Sequence, residues 1–367
     1  MIIGIDAHSL EGKRTGVGQV LINLLKQWNN FDLSADIKFI LYFKQEIPSD
    51  LELKKSNFEF KLLNTKSNAL FMHWSICWQA FRDKLDILFC PSYISPIFYL
   101  GKTALILHDI VYQAHPEMYN WPSFWDRILL KEFSKISAKK AKVILTPSEF
   151  SKQEIIKHYK INSNKVFNIA WGVDDDFRKI EDNKKLIKIK EKYKIKDKFI
   201  FYIGSIFNRR HLPEAIKAFE KVSNQLNNYQ FLIVGANYAN ISEQEFNHEK
   251  IIYQEYLSGK DLVKLYNAAD LTIYLSDYEG FGLPPLESIA CGTPIITSQT
   301  ASIPEVIGEA GIYIKNNSDI NEISEAIYKG LTDEKLRNSL IKKGFERARK
   351  FSWKKSAKEI LDVLLKS

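Results

Sequence analysis

The chain has 367 residues, a net charge of +8 and a hydrophobic fraction of 45%. One hydrophobic core seldom grows beyond about 250–300 residues, so we expect two domains. The low counts of glycine (16) and proline (11) exclude collagen-like and linker-like chains, and the hydrophobic fraction excludes a disordered one. No apolar run approaches the ~18 residues that a membrane-spanning helix needs.

The opening residues, MIIGIDAHSL, are typical of a buried strand and lack the basic and apolar regions of a signal peptide. The three cysteines, Cys77, Cys90 and Cys291, are scattered and form no CxxC pair. This spacing disfavours a disulfide framework and a structural zinc site. Both observations predict a cytoplasmic protein.

Positive charge is concentrated in the first half, where residues 1–172 hold 22 Lys and Arg against 16 Asp and Glu. A basic half can attract nucleic acid, anionic lipid or a phosphorylated substrate. We favour the simpler interpretation of a solvated, lysine-rich surface, and we expect no nucleic-acid partner.

Short, β-branched apolar runs alternate with amphipathic patterns along the whole chain. In the first half, strands are predicted at 2–6, 37–43, 86–90, 103–108, 142–147 and 165–170, and helices at 19–29, 68–83, 122–140 and 149–159. In the second half, strands are predicted at 199–204, 231–235, 251–253, 271–276, 294–297 and 311–314, and helices at 211–226, 259–268, 285–291, 319–331 and 333–349. The alternation predicts an α/β architecture with parallel sheets.

We place an N-terminal domain at 1–173, a C-terminal domain at 174–350 and a final amphipathic helix at 351–367. The lysine-rich stretch 174–197 is interpreted as the connection into the second domain. Packing of the final helix on the first domain and local packing both stay open. Ligands bind at the carboxyl ends of parallel strands, so the strand-to-helix loops of both halves are expected to build the site.

The loop DYEGFGLP (277–284) follows a predicted strand and precedes a helix that Pro285 opens and Gly292 closes. Gly280 and Gly282 allow its backbone to approach a ligand closely. The pattern therefore indicates a ligand-binding loop.

The amides near Gly282, Leu283 and Leu286 are expected before or within the first helical turn, where free N–H groups favour a phosphate. Glu279 lies in the loop, and Glu287 is expected in the first helical turn. Two acids beside an anion are interpreted as acceptors of hydroxyl hydrogen bonds from a sugar and a ribose. The alternative is a solvated loop acid and an acid that complements the helix dipole.

The string EGFGLPPLE, followed by SIACGTPIITS and IPEVIGEAGIYI, resembles the signature of glycosyltransferase family 4, retaining enzymes of the GT-B fold. The Glu-x7-Glu motif of that family matches Glu279 and Glu287. The resemblance covers most of the chain and implies two Rossmann-like, doubly wound parallel-sheet domains facing across a cleft. It places a nucleotide diphosphate sugar on the C-terminal domain, with Phe281, Gly282, Leu283 and Glu287 among the donor-binding residues.

Arg209 and Arg210 lie in the loop of YIGSIFNRRHLPEAIKAF (202–219), at the carboxyl end of a predicted strand. Guanidinium groups suit a diphosphate leaving group, and the alternative is two exposed arginines. The family resemblance implies a basic pair here that usually ends in Lys. Arg210 takes that Lys position, and Ser205 stands where some members carry another Arg.

In KRTGVGQVLINLL (13–25), Gly16 and Gly18 precede an amphipathic helix, and the resemblance implies that this loop closes on the donor β-phosphate or the acceptor. His108 ends a predicted strand, where family members present a His near the donor sugar. We assign it to sugar contact or transition-state stabilisation, with Asp109 orienting its imidazole. The alternative is a structural histidine.

Asp174–Asp175–Asp176 resembles the DxD metal motif of the other large glycosyltransferase fold. Because it follows WGV at the domain junction, we interpret it as a linker turn. We therefore predict no catalytic metal and no cofactor.

Together these features predict a retaining, metal-independent glycosyltransferase with His108, Arg210 and Glu279 as catalytic residues. It would move a hexose to a saccharide or lipid-linked saccharide in the biosynthesis of polysaccharides or cell-surface glycans. The strings IGS…RRH and LHDI favour GDP-mannose as donor, with a UDP-hexose as the alternative. A sugar-nucleotide epimerase or a non-catalytic nucleotide-sugar-binding subunit on the same fold also stays open.

Residues 69–98 and 118–140 combine many aromatic residues with lysines. The pattern fits either a buried core or a surface that docks on an anionic membrane. Both interpretations stay open, and the second would place the protein at the cytoplasmic face of a membrane.

Overall fold

The computed structural model describes residues 1–12, 14, 16–119, 121, 123–226, 228–246 and 248–367. The chain forms two compact units, the first of Met1–Gly172 with Ser352–Ser367 and the second of Val173–Phe351. Each unit is built on one parallel sheet, as the alternation of strand and helix patterns predicts. Among the described residues, no helix has both the length and the apolar character needed to cross a bilayer.

The first unit contains a seven-stranded sheet with the strand order β3-β2-β1-β4-β5-β6-β7. Its strands are β1 (Ile2–Asp6), β2 (Lys38–Phe43), β3 (Phe58–Leu62), β4 (Ile87–Cys90), β5 (Thr103–Ile106), β6 (Val143–Thr146) and β7 (Val166–Asn168). Strands such as β4 and β6 are buried at every residue because helices cover both faces of the sheet. The loops that follow the neighbouring strands β1, β4 and β5 therefore leave from one edge.

The helices of this unit up to its last strand are α1 (Gly16–Asn30), α2 (Asn68–Leu70), a π-helical segment (Phe71–Ser75), α3 (Ile76–Arg82), α4 (Val111–Ala114), α5 (Phe124–Lys140) and α6 (Glu149–Tyr159). Ser123 caps α5 by accepting a hydrogen bond from the Asp126 amide at 3.1 Å. Helix α1 begins at Gly16, so Gly16 and Gly18 lie inside its first turn instead of before it. Lys13 and Thr15 of the same segment, and Pro122 of the predicted helix 122–140, lie outside the described residues.

The second unit contains a six-stranded sheet with the order β10-β9-β8-β11-β12-β13. Its strands are β8 (Lys198–Ile203), β9 (Tyr229–Val234), β10 (Ile251–Gln254), β11 (Leu271–Tyr274), β12 (Ile295–Ser298) and β13 (Gly311–Ile314). Its helices are α7 (Asn183–Lys192), α8 (Leu212–Ser223), α9 (Gly259–Ala268), α10 (Leu283–Ala290), α11 (Ile303–Ile307), α12 (Ile320–Thr332) and α13 (Glu334–Ala348). Because β8 pairs with β11, the loops after these two strands meet at one edge.

The terminal helix α14 (Trp353–Leu365) belongs to the first unit, where it packs against α1. The Trp28 indole nitrogen donates to the Ala357 carbonyl at 2.8 Å, and the Trp353 ring stacks on Trp171 at 6.1 Å. The segment 352–367 therefore completes the core of a unit whose other residues all precede position 173.

One strand and three α-helices, β3, α4, α7 and α11, were not predicted. Strand β3 was not predicted, because its sequence FEFKL is only partly buried at the sheet edge and carries two charges. Helix α7 lies within the stretch that we interpreted as a plain connection. Asp182 caps this helix by accepting a hydrogen bond from the Lys184 amide at 3.0 Å. The helix is rich in lysine, and its narrow apolar stripe, in which Ile189 is buried, is hard to recognise in the sequence.

Candidate functional site

A nearly buried ion pair joins the two loops that meet at the carboxyl edge of the second unit. Arg210 Nε donates to Glu279 Oε1 at 3.0 Å, and both side chains are only 12% exposed. Ser276 Oγ donates to the same carboxylate oxygen at 2.9 Å. Burial opposes ionisation of Glu279, but the charges of Arg210 and Arg209 outweigh it and hold its pKa below the ordinary value. Both members of the pair are therefore charged.

The Arg210 guanidinium is further fixed by the backbone around it. Its Nη1 donates to the Ser205 carbonyl at 2.8 Å, and its centre lies 5.1 Å from the Tyr274 ring centroid. Gly204 has a φ of +127°, and a Cβ there would lie 2.6 Å from Arg210 Nη1. Glycine is thus required for this approach, and Ser205 takes part through its carbonyl.

Arg209 has a different environment from its neighbour. Its guanidinium lies 4.4 Å from the Phe207 ring centroid, within the range of a cation–π contact. Among the described residues, its buried Nε has no hydrogen-bond partner. Arg209 therefore keeps donor capacity that an anionic ligand at this edge can use.

The loop 277–284 supplies two backbone donors. Gly282 caps α10 with a φ of +101°, and the helix begins at Leu283, two residues earlier than we predicted. The next two residues are prolines, which have no N–H group. The Leu286 amide donates to the Gly282 carbonyl at 3.3 Å, so our expectation that it is free was wrong. The amides of Gly282 and Leu283 lie before the first backbone hydrogen bond of α10, where N–H groups have no partner within the helix.

Glu287 is the fifth residue of α10, beyond the first turn in which we expected it. Its Oε2 accepts a hydrogen bond from the Tyr266 hydroxyl at 3.1 Å. Burial raises the pKa of Glu287 to about 7, with the Tyr266 hydroxyl opposing the shift and the negative charge of Asp174 adding to it. Both protonation states of this carboxyl are therefore accessible near neutral pH.

A hydrogen-bond network behind the ion pair was missed by the sequence analysis. Asp277 Oδ2 lies 2.7 Å from His211 Nε2, and the Asp277 amide donates to the Arg209 carbonyl at 2.9 Å. Asn317 Nδ2 donates to Asp277 Oδ1 at 2.8 Å, and Ser298 Oγ donates to Asn317 Oδ1 at 2.7 Å. The network ties the loop after β8 to the loop after β11. The one available signal was the position of His211 directly after the two arginines.

Phe281 contributes to this loop through its backbone. Its side chain is buried and contacts the Phe351 ring edge-on at 5.7 Å. Ser302 Oγ donates to the carbonyls of Glu279 and Phe281 at 2.8 and 3.0 Å. The ring therefore anchors the loop, and Ser302 is a second positioning residue that the sequence analysis did not identify.

His108 lies just beyond β5 in the first unit, and its imidazole Nε2 is 3.3 Å from the Pro91 carbonyl. Because a carbonyl only accepts, Nε2 carries the proton. Burial lowers the pKa of His108 to about 4. The imidazole is therefore neutral, with Nδ1 as its acceptor atom.

Asp109 has a second role that we had not expected. Its Oδ1 accepts from the Val111 amide at 3.1 Å, at the start of the short helix α4. The His108 ring has the Pro91 carbonyl as a hydrogen-bond partner at 3.3 Å, and its orientation by Asp109 stays a prediction. Gly18 is buried, and a Cβ there would lie 2.4 Å from the Ser9 carbonyl, whereas Gly16 is exposed with open space around it.

A cavity of about 480 Å³ lies in the first unit, beside the ends of β1 and β4. Its lining is mainly aromatic and apolar, and includes Phe71, His73, Tyr93, Trp121 and Phe133 together with His8. The carboxylate of Asp6, whose Oδ1 is 2.6 Å from His8 Nδ1, raises the pKa of His8. The cavity therefore offers aromatic faces and the His8 imidazole to a ligand.

Asp174 begins a turn at the start of the second unit. Its Oδ1 accepts from the Asp176 amide at 3.1 Å, and its carbonyl accepts from the Phe177 amide at 2.9 Å. Within the described ranges, no group of three or more His, Cys, Asp and Glu side chains is arranged to hold a metal ion.

The structure thus brings the predicted residues together in two sets. One edge of the second unit carries Ser205, Arg209, Arg210, Glu279, Phe281, Gly282, Leu283 and Glu287. The first unit carries His108 and Asp109 after β5, and Gly16 and Gly18 in α1.

Comparison with known proteins relates both units to enzymes. Residues 183–347 match the family described as Glycosyl transferases group 1. The serotype-specific mannosyltransferase WbdA of Escherichia coli is 30% identical over 275 residues, which are 71% of this chain and 33% of that protein. The chain spans about a third of the length of the curated relatives that it matches first.

Two further relatives match over more of their own length. The O-antigen chain mannosyltransferase B of Escherichia coli is 28% identical over 296 residues, which are 77% of this chain and 75% of that protein. The crystal structure of Anabaena Alr3699/HepE in complex with UDP-glucose superposes with a TM-score of 0.77 at 14% identity, covering 100% of this chain and 99% of that one. At that identity the structural likeness shows the fold alone.

Proposed function

We propose that the chain is a group 1 glycosyltransferase, which transfers a hexose from a nucleotide diphosphate sugar to a saccharide acceptor. Its two parallel-sheet units have the GT-B fold that the sequence predicted. The observation that carries the proposal is the nearly buried Arg210–Glu279 pair, with the unpartnered Nε of Arg209 and the Gly282 and Leu283 amides at the start of α10 on the same sheet edge.

In this proposal the cationic side chains and the amides bind the diphosphate of the donor. When the bond from the anomeric carbon to the diphosphate breaks, negative charge grows on the departing oxygen. Fixed donors already aimed at that position lower the barrier because they need not reorganise. Arg209 has the buried, unpartnered donor for this role. Arg210 is held by Glu279 and the Ser205 carbonyl, so it supplies positive charge at a fixed position.

The two carboxyl groups serve the hydroxyl groups of the donor. Glu279 is ionised by its arginine neighbours, and an ionised carboxylate accepts hydrogen bonds from the hydroxyls of the transferred sugar. Glu287 accepts from the ribose hydroxyls when it is ionised. Because burial raises its pKa to about 7, donor binding and ionisation of Glu287 are coupled in this proposal.

We assign retention of anomeric configuration to the reaction, with an oxocarbenium-like centre at the anomeric carbon. The acceptor hydroxyl attacks from the side that the diphosphate leaves, and a diphosphate oxygen takes its proton. Charge compensation by arginines and amides makes a catalytic metal ion unnecessary in this scheme. Neutral His108 offers Nδ1 as an acceptor to a sugar hydroxyl.

GDP-mannose is the proposed donor, since the first curated relatives are named as mannosyltransferases. A UDP-hexose is the second candidate, because a solved structure with the same fold contains UDP-glucose. The acceptor is a growing surface polysaccharide or its lipid-linked precursor, which the name of the O-antigen chain enzyme supports. The aromatic cavity of the first unit is the proposed acceptor site, because sugar rings stack on aromatic faces.

The first experiment measures thermal unfolding with GDP, UDP, ADP and their sugars, each with and without EDTA. A ligand at about 100 times its Kd stabilises by about 2.7 kcal/mol, so one nucleotide should raise Tm selectively and EDTA should leave the shift unchanged. Loss of the shift with EDTA would contradict metal independence. No shift with any nucleotide would overturn the assignment of Arg209, Arg210, Glu279 and Glu287.

Arg209→Gln should weaken nucleotide affinity at least tenfold, because it removes a charge-assisted donor to the diphosphate. Arg349→Gln changes an exposed arginine of the same unit and should leave affinity unchanged. Transfer from labelled GDP-mannose to a mannose-containing acceptor then tests the reaction itself. Conversion of the donor in the absence of any acceptor would indicate an epimerase instead.

A further inference from the structure

A stripe of exposed apolar side chains runs along the helical segment 68–82 of the first unit. Its members Leu70, Trp74, Trp78 and Phe81 are 60%, 70%, 64% and 77% exposed. Their spacing of four, four and three residues places them on one face of the helix. Single exposed hydrophobic residues are ordinary on a protein surface, but a contiguous group of tryptophan and phenylalanine is not.

Two neighbouring elements extend this stripe. Phe98 and Leu100, in the loop between β4 and β5, are 65% and 95% exposed, and Phe124 and Trp125 at the start of α5 are 69% exposed. The elements are in contact, because the His73 ring lies 6.4 Å from the Phe98 ring and 5.2 Å from the Phe133 ring of α5. We call the eight side chains Leu70, Trp74, Trp78, Phe81, Phe98, Leu100, Phe124 and Trp125 the aromatic surface.

Basic residues accompany the aromatic surface along α5. This helix carries five Lys and Arg against two acids, which are Asp126 and Glu132. The basic residues are Arg127, Lys131, Lys135, Lys139 and Lys140. At the far end of the stripe, Asp83 and Asp86 balance the charge of Arg82 and Lys84, so the excess of positive charge lies along α5. Apolar rings bordered by cationic side chains with long aliphatic stems match the interface of an anionic bilayer, where rings enter the headgroup layer and cations meet lipid phosphates.

We propose that the aromatic surface docks the first unit on an anionic lipid bilayer. Charge complementarity selects this partner over a second copy of the chain, because two such surfaces facing each other would bring their cations together. The sequence analysis left a buried core and a membrane surface open for these aromatic residues. The structure divides them, since Phe71 and Phe89 are buried in the core and Trp74, Trp78 and Phe98 are exposed.

The direct test is co-sedimentation of the full chain with vesicles of phosphatidylcholine alone and of phosphatidylcholine mixed with phosphatidylglycerol. We expect binding to the mixed vesicles, much weaker binding to the neutral ones, and release at high salt. Trp74, Trp78 and Trp125 are exposed while Trp28, Trp171 and Trp353 are buried, so docking should also shift tryptophan emission to the blue. Absence of sedimentation with both vesicles overturns the proposal.

Two sets of variants separate the apolar from the electrostatic contribution. Trp74→Ser with Trp78→Ser should lower vesicle affinity at least tenfold and remove most of the emission shift. Lys131→Gln, Lys135→Gln and Lys139→Gln should lower it by about fivefold for each lysine removed. The matched controls change exposed residues of the second unit: Tyr256→Ser with Tyr328→Ser, and Lys184→Gln, Lys185→Gln and Lys188→Gln.

The residues altered in the aromatic surface and in α5 lie outside the cavity lining and outside the second unit, so these variants should keep the nucleotide-induced Tm shift of the parent chain. That shift reports folding and is independent of vesicle binding. Vesicle affinity that falls as much in the controls as in the surface variants overturns the proposal. So does a concentration-dependent dimer, measured by sedimentation velocity, that Trp74→Ser with Trp78→Ser abolishes, because the surface would then serve self-association.

Discussion

Glu287 is a carboxylic acid in an environment that disfavours its charge. Burial raises its pKa to about 7 from the ordinary 4.5, while the Tyr266 hydroxyl at 3.1 Å partly compensates. At pH values between 4.5 and 7, Glu287 therefore keeps its proton in the folded chain but has released it in the unfolded chain. Folding stability must fall as pH rises through this window and become level above it.

Glu287→Gln should remove this pH dependence. The free energy of unfolding of the variant, minus that of the parent, should increase from pH 4.5 to pH 7 by at most about 3 kcal/mol. Urea unfolding at a series of pH values measures the difference. Glu325→Gln, an exposed acid on α12, is the control and should show no such trend. A flat difference for Glu287→Gln would contradict the raised pKa.

The Arg210–Glu279 pair is nearly buried, so each partner depends on the other for its charge to be tolerated. Glu279→Gln should destabilise the chain by about 2–3 kcal/mol because it leaves the Arg210 charge uncompensated. Adding Arg210→Gln to this variant should lower the free energy of unfolding by much less than another ~2–3 kcal/mol. The double-mutant cycle measures the coupling energy between the two side chains. The exposed pair Lys343–Glu309, at 2.9 Å, should show coupling below about 1 kcal/mol. Equal coupling energies in the two cycles would contradict this account.

The element that positions the two arginines is the short loop between β8 and α8, which ends at His211. His211 has a φ of +46°, in the left-handed region that few residues adopt, and its imidazole holds Asp277 of the neighbouring loop. Burial lowers the pKa of His211, but its contacts with Asp277 and Glu214 outweigh this and raise it above 6.5. The contribution of this contact to stability is therefore complete below pH 6.5 and is lost as pH rises through the raised pKa.

His211→Asn keeps a residue that tolerates the left-handed backbone and removes the contact with Asp277. We expect the variant to lose the alkaline fall in stability that the parent shows above pH 6.5, and to bind nucleotide more weakly because the arginine loop is less fixed. Tm and nucleotide Kd against pH measure both effects. His158→Asn, a histidine of the first unit that lies 3.5 Å from Glu154, is the control. Parallel pH profiles for the parent and His211→Asn would disprove the role.

The same elements show what sequence patterns can predict. The loop after β11 was identified because glycine and proline impose particular backbone shapes that need no distant partner. The start of α10 was placed two residues late, because Pro284 and Pro285 both fit a first turn. His211, Asp277 and Asn317 were missed because their roles come from contacts between segments 40 to 66 residues apart. Pattern reasoning sees periodicity within a segment and cannot see pairing between segments.

At the level of the whole chain, each of the two units is compact by itself, so we expect them to unfold in separate transitions. Trp353→Ala removes the ring that stacks on Trp171, so it should destabilise the first unit by about 3–5 kcal/mol. In scanning calorimetry the variant should lower one transition, and the bound nucleotide should raise the other. If one transition is seen, and both the Trp353→Ala substitution and the bound nucleotide shift its midpoint temperature, the two units unfold together.

The return of residues 352–367 to the first unit also determines the order in which this protein can be completed on a ribosome. The ends of the second unit are adjacent, since the Val173 amide lies 3.5 Å from the Phe351 carbonyl. The second unit can therefore close as soon as residue 351 has emerged. The first unit, although most of it is translated earlier, lacks α14 until residues 352–367 have emerged, and until then the face of α1 around Trp28 stays uncovered. The unit whose synthesis begins first is thus completed after the second unit, and its exposed apolar face favours aggregation during that interval.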